Sequence, residues 1–248
     1  VNSTEIIRRD FPRNIILGII DSAKKFEKNK SIDSLRQIVE KFDKKQYHTK
    51  PGKLAVCISD TGEKAYQRAV FLSEKTQLQS LGEIVWNDLE LPVVFNSSSR
   101  RKCIDLIGTI DNDASVLCEL KFASQKSNSN SPLYAVIELL TYYYLIQENY
   151  EELDSGHVFH KNKIVKDFRW KDFNHNSIFI VGANEKYWNY WQKRYESKED
   201  QMREWLNSIP LAIRFFSFVD LDFKEQKGIL KKYKPSLAGK TAWTEVYL

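Results

Sequence analysis

Cysteine is scarce in this 248-residue chain: Cys57, Cys103 and Cys118 make an odd count with no Cys-x-x-Cys spacing, which argues against a disulfide framework or a zinc knuckle. A reducing, cytoplasmic setting is the expectation. No histidine lies near Cys103 in sequence to activate its thiol, so that cysteine reads as a small packing residue rather than a nucleophile. Long apolar runs are also missing: the longest, around Leu211 to Val219, is broken by Arg214 and is too short to span a bilayer, and the start carries no signal-peptide pattern. No membrane is expected among the partners. The chain has no glycine-rich phosphate loop of the Walker type, which excludes triphosphate hydrolysis of that kind, and no internal repeat.

What is present is an ordinary globular composition, 42% hydrophobic and 29% charged, at a length that suits one elaborated domain with its own core. The net charge of +5 suits a polyanionic partner without requiring one. Lysines cluster at Lys24, Lys25, Lys28 and Lys30, and again at Lys224, Lys227, Lys231, Lys232 and Lys234. Each cluster reads equally well as a solvated face or as a phosphate-contact surface.

Residues 1–60 read as a mainly helical accessory region and 61–248 as the core with a C-terminal elaboration. Helical spacing covers Ile15 to Lys28 and Ser31 to Lys45, the second capped by Ser31 or Asp33; Leu54 to Ser59 looks like a short strand. Helical composition then runs from Glu63 to Leu89. A short strand is expected at Pro92 to Phe95, and Cys103 to Ile110 and Ser115 to Ala123 form a hairpin across Asp111 to Ala114. Ser131 with Pro132 opens a helix to about Asn149; Ser177 to Gly182 reads as a buried strand, Lys186 to Leu206 as one or two helices, and Ile213 to Phe223 as another strand.

The hairpin carries the chemistry. Side chains alternate along a strand, so Asp105 shares its face with Cys103 and Ile107, and Glu119 shares its face with Leu117 and Lys121. In the register a short turn favours, Asp105 lies across from the Glu119–Lys121 pair. Two carboxylates offer the hard oxygen ligands that Mg²⁺ or Mn²⁺ requires, and the nearby ammonium can orient water or offset charge on a phosphate. The plainer alternative is a solvated strand face with cross-strand ion pairs. The apolar flanks, Ile104-Asp105-Leu106-Ile107 and Leu117-Cys118-Glu119-Leu120, favour the functional reading, because a charge inside such a strand is costly unless paired or metal-bound.

Ile104-Asp105-Leu106-Ile107-Gly108, a short hairpin, then Cys118-Glu119-Leu120-Lys121 resembles the core of the PD-(D/E)XK, or restriction-endonuclease-like, nucleases, with Ile104 where the family name has proline. The resemblance implies an α/β fold: helix, three strands, helix, strand, with a mixed central sheet flanked by helices and an N-terminal helical extension. It implies a divalent-metal-dependent nuclease that hydrolyses nucleic acid, DNA first. Asp105 and Glu119 would hold Mg²⁺ or Mn²⁺, joined by the main-chain carbonyl of Leu120, and Lys121 would aid hydrolysis. Genome defence, repair and recombination all use such a core. Many branches add a glutamate from the helix before the strands, a position for which Glu74 and Glu83 both qualify.

Arg100, Arg101 and Lys102 adjoin the site in sequence and read either as phosphate contacts or as a wet strand entrance. Tyr134, Glu138 and Tyr142 follow i, i+4 spacing, either lining the site's edge or forming an amphipathic rim. Asp154, His157 and His160 lack a fourth ligand and read as a surface loop, and the aromatic helix Tyr187, Trp188, Tyr190, Trp191 and Tyr195 reads as packing or a partner interface before base stacking. The rival to a nuclease is a non-catalytic subunit that binds nucleic acid or protein. Either would act as a homo-oligomer or within a larger complex.

Overall fold

The computed structural model describes residues 11–42, 63–94, 102–110, 114–124, 127–156, 173, 176–218, 221–226, 232–237 and 242–248. The Leu54–Ser59 strand with the whole of 43–62, and Arg100, Arg101, His157 and His160, lie outside the described residues. Helix α1 (Arg13–Ala23) buries Ile16, Ile19, Ile20 and Ala23, a helical stripe, and α2 (Lys30–Glu40) buries Ile32, Leu35 and Val39. The cap of α2 is Asn29, whose side-chain oxygen accepts the Ser31 amide at 2.9 Å, whereas Asp33 pairs with Lys24 at 2.5 Å.

Helix α3 (Glu63–Ser73) is much shorter than the helical composition through Leu89 suggests. It stops at Glu74, which turns to φ 69°. Strands β1 (Lys75–Leu78) and β2 (Gly82–Val94) then pair antiparallel around Gly82 at φ 96°. The period is two here: Thr76, Leu78, Ile84 and Trp86 are buried, while Lys75, Gln77 and Glu83 are exposed. A buried bond from Trp86 Nε1 to Thr76 Oγ1, 2.7 Å, holds the hairpin.

Next come β3 (Lys102–Ile110), β4 (Ala114–Lys121), the long helix α4 (Pro132–Gly156), β5 (Ile178–Asn184), α5 (Glu185–Tyr195), a single 3₁₀ turn, α6 (Glu199–Asn207) and β6 (Ile213–Phe218). Pro132 takes the first helical position of α4 and Ser131 Oγ accepts the Tyr134 amide at 3.1 Å. Asn149, at φ −140°, kinks the same helix, which runs on through Asp154 instead of giving way to a loop. Strands β7 (Leu221–Gln226) and β8 (Lys232–Leu237) form a separate antiparallel ribbon in which Lys224 pairs in register with Lys234. The last strand is β9 (Ala242–Val246). Among the described residues no helix is long and apolar enough to cross a membrane.

The sheet corrects the expected restriction-endonuclease-like fold. Its seven strands close into a barrel in the order β1-β2-β3-β4-β5-β6-β9, not an open mixed sheet flanked by helices. Closure depends on β9, which runs antiparallel to β6 and parallel to β1 through Gln77↔Ala242 and Leu78↔Trp243. A strand of five residues at the end of the chain thus removes both sheet edges.

Two apolar clusters follow. Inside the barrel, Ile84, Trp86, Leu106, Val116, Cys118, Leu120, Ile180, Phe216 and Trp243 meet, joined by Tyr66, Val70 and Phe71 of α3. The opposite face of the sheet, with Ile107, Leu117, Phe179, Val181 and Phe215, packs under α1, α2, α4, α5 and α6. The N-terminal helices share this second cluster with the core; Arg13 Nε donates to Tyr144 Oη at 3.0 Å and Trp205 Nε1 to Ser22 Oγ at 2.9 Å. Helix α5 proves to be packing: Tyr187, Trp188 and Trp191 are buried.

Gly182 lets Trp243 lie against β5, since a β-carbon there would sit 2.8 Å from the indole. Gly182→Ala should therefore cost about 1–3 kcal/mol, read as a lower urea midpoint; an unchanged midpoint would mean that Trp243 does not fill the barrel as described.

Candidate functional site

Strands β3 and β4 pair regularly from Ile110↔Ala114 to Leu106↔Cys118, so the ladder ends beside Asp105 on one strand and Glu119 on the other. Beyond that end the Leu120 amide donates to Asp105 Oδ2 at 2.8 Å. On its other side β4 runs parallel to β5 as far as Lys121↔Ala183. Asn184 then clips the chain just past Lys121, accepting the Ala123 amide and donating to the Ala123 carbonyl, both at 2.9 Å. Backbone and clip together fix where Glu119 and Lys121 emerge.

Asp105, Glu119 and Lys121 come together with two residues of α3 and three of α4. Lys121 Nζ donates to Glu119 Oε1 at 2.6 Å and to Glu138 Oε2 at 3.1 Å. Glu138 Oε1 accepts from Tyr134 and Tyr142 at 3.1 and 3.0 Å. From α3, Gln67 Nε2 donates to the Asp105 carbonyl at 2.7 Å and to Asp105 Oδ1 at 3.2 Å. Glu63, one turn before Gln67, lies within electrostatic reach of Lys121 and Glu138 and bonds Ser129 and the Phe122 backbone. The loop carrying Ser129 is held by α5, through Tyr187 Oη to the Asn130 carbonyl at 2.9 Å and Trp191 Nε1 to the Asn128 carbonyl at 3.3 Å.

Charge is unbalanced here. Asp105, Glu119, Glu138 and Glu63 surround one ammonium, all acting on Lys121. Burial, then Asp105 and Glu138, push the Glu119 carboxyl well above its usual range despite Lys121. Asp105 keeps part of its surface open, yet the dense protein around it and the charge of Glu63 outweigh Lys121 and raise it to about 7. Burial alone would lower the Lys121 ammonium; Glu119 and Glu138 reverse that and hold it high. Glu138 resists its burial because Lys121 and the hydrogen bonds from its neighbours stabilise the charge, so its pKa falls.

Glu119 Oε2 is buried with no donor aimed at it, and the raised Glu119 carboxyl also hydrogen-bonds Glu138. Such an orphaned acceptor in an over-negative pocket suits a divalent cation. Among the described residues no three His, Cys, Asp or Glu side chains form a ready metal cage. Mg²⁺ does not need one, since it commonly takes one or two carboxylates and completes its shell with water and phosphate. Asp105 and Glu119 fit that pattern. The Leu120 side chain turns into the barrel, and the group tying it to Asp105 is its amide.

Neither Glu74 nor Glu83 belongs to this group. Glu74 sits exposed in the turn after α3. Glu83 precedes Ile84, which pairs with Ile110, five residues along β3 from Asp105 and so roughly 17 Å away; its carboxylate binds Lys75 at 2.6 Å. The glutamate of α3 that does reach this group is Glu63, one helical turn from Gln67, a spacing of i, i+4 that is visible in the sequence. Lys102 begins the same strand as Asp105 but by alternation belongs to the other face.

No family model, curated protein or solved structure matches this chain.

The raised Asp105 carboxyl makes a signed prediction. Between its ordinary value of 3.8 and about 7 the folded chain binds more protons than the unfolded one, so this residue's contribution to stability declines as pH rises through that window. Asp105→Asn should thus stabilise the metal-free protein at pH 8, on the order of 1–3 kcal/mol after the lost hydrogen bonding is discounted, and the gain should vanish by about pH 4. Denaturant melts at the two pH values check this; a loss of stability at pH 8 would contradict it.

Proposed function

We propose that this chain is a divalent-metal-dependent nuclease that hydrolyses phosphodiester bonds, with DNA as substrate, and that Asp105, Glu119 and Lys121 form its centre. The observation that carries the proposal is the convergence of buried Glu119 and Lys121 with the part-exposed Asp105, together with a buried Glu119 Oε2 that receives no donor. The motif resemblance to PD-(D/E)XK nucleases supports it at three positions, supplies the DNA preference and makes membership of that family part of the proposal. Three cysteines with no Cys-x-x-Cys spacing support the reducing intracellular setting we propose for it.

In this reading Asp105 and Glu119 would hold Mg²⁺ or Mn²⁺, which would supply Lewis acidity and an activated water. Gln67 fixes the Asp105 carboxylate from α3, and the Leu120 amide fixes its second oxygen. The Lys121 ammonium orients the water and offsets charge developing on the phosphate oxygens. Water oxygen bonds to phosphorus as the bond from phosphorus to the leaving sugar oxygen breaks; the attacking water gives up one proton to solvent and the leaving oxygen takes one from solvent.

One observation favours the second reading, a non-catalytic protein that binds nucleic acid or a protein partner. The Lys121 and Glu119 side chains are 6% and 5% exposed and already paired, as a purely structural ion cluster would be. Labelled single-stranded DNA, duplex DNA and RNA, incubated with Mg²⁺ or Mn²⁺, distinguish the two. We expect metal-dependent DNA cleavage that falls at least ~100-fold in Glu119→Gln and Lys121→Met, and calorimetric Mg²⁺ affinity at least ~10-fold weaker in Glu119→Gln. A folded wild type that neither binds Mg²⁺ nor cuts would establish the ion cluster as structural.

A further inference from the structure

Glu138 is the carboxylate at this centre whose bonds are most completely made. One oxygen takes the Lys121 ammonium at 3.1 Å, and the other takes both tyrosine hydroxyls, from Tyr134 at 3.1 Å and Tyr142 at 3.0 Å. Residues four apart on a helix share a face, so α4 presents Tyr134, Glu138 and Tyr142 as one ladder along the site. Glu119 is the opposite case: one oxygen holds Lys121 at 2.6 Å and the other receives no donor. Lys121 therefore makes its shorter bond to the less satisfied carboxylate.

A carboxylate shared with a divalent cation has less negative charge left for an ammonium. A buried ammonium needs another anion in place if it is to remain where it is. Among the described contacts, the bonds to Lys121 Nζ come from Glu119 and Glu138. The tyrosines suit the purpose, because a neutral hydroxyl fixes the orientation of Glu138 without bringing a positive charge that would compete with Lys121.

We propose that Glu138 is the positioning residue for Lys121: locked by Tyr134 and Tyr142, it keeps the ammonium at the centre when Glu119 is engaged by a divalent cation. The inference rests on the nuclease reading for its catalytic consequence but not for its structural one. An ammonium has three N–H groups; with Glu138 retaining one, the others face the water and phosphate.

Two readouts test it. Glu138→Gln should lower kcat about 10–100-fold while the Mg²⁺ concentration for half-maximal rate stays within about 3-fold. In a Lys121→Met background the same substitution should add no further loss. Independently of cleavage, ¹⁵N-lysine NMR should show a Lys121 ammonium protected from exchange in wild type with and without Mg²⁺, and lost from Glu138→Gln when Mg²⁺ is added. Should Glu138→Gln fail to fold, the paired Tyr134→Phe and Tyr142→Phe variant, which keeps the charge, carries both readouts. An additive loss in the Lys121→Met background, or an ammonium that stays protected in Glu138→Gln with Mg²⁺, overturns the proposal. A wild type that cuts nothing overturns the nuclease reading alone, and the NMR result still decides the role of Glu138.

Discussion

Lys121 lies among Asp105, Glu119, Glu138 and Glu63, and its bonds to two of them are what allow so much charge to be buried in one place. Removing an ammonium of this kind leaves carboxylates facing one another in a poor dielectric, so the elements that carry them must come together as a set. That set is α3, β3, β4 and α4. Each arrives with its own fastening: Gln67 on the Asp105 backbone, the Leu120 amide on the Asp105 carboxylate, the Asn184 clip beyond Lys121, and the tyrosine pair on Glu138.

The barrel and the charged centre are structurally separate. Leu106, Cys118 and Leu120 fill the barrel, while Glu119 and Lys121, in alternation with them, face α4. One pair of strands therefore serves an apolar interior on one side and the charges on the other. Trp243 closes the sheet from the barrel side, packed at Gly182 beside Leu120, with 5.9 Å between its ring and that of Trp86. The closed sheet differs from the open one that the nuclease resemblance implies, so the proposed activity rests on the side chains rather than on the architecture.

The hairpin was legible because its signals are local: alternating residues in β3 and β4 and a short polar turn bring Asp105 and Glu119 to the same end of the ladder. The start of α4 was legible at Ser131-Pro132 for the same reason. The β1–β2 hairpin was not, because Leu78, Leu81, Val85 and Leu89 also fit a helical stripe, and the turn at Gly82 that breaks it reads as a mere interruption. A helix extended through Leu89 would carry Glu74 and Glu83, whereas the shorter α3 brings Glu63 to the centre.

By itself, then, the sequence determined the acid–acid–lysine group of Asp105, Glu119 and Lys121, because period-two alternation and a short turn bring residues of neighbouring strands together without help from the rest of the chain. Tertiary structure alone decided that Glu63, Gln67 and Glu138 join them and that β9 closes the sheet. Those contacts link residues far apart in sequence, and they form because the apolar surfaces of α3, α4 and β9 have to be covered, a requirement that no short window of sequence expresses.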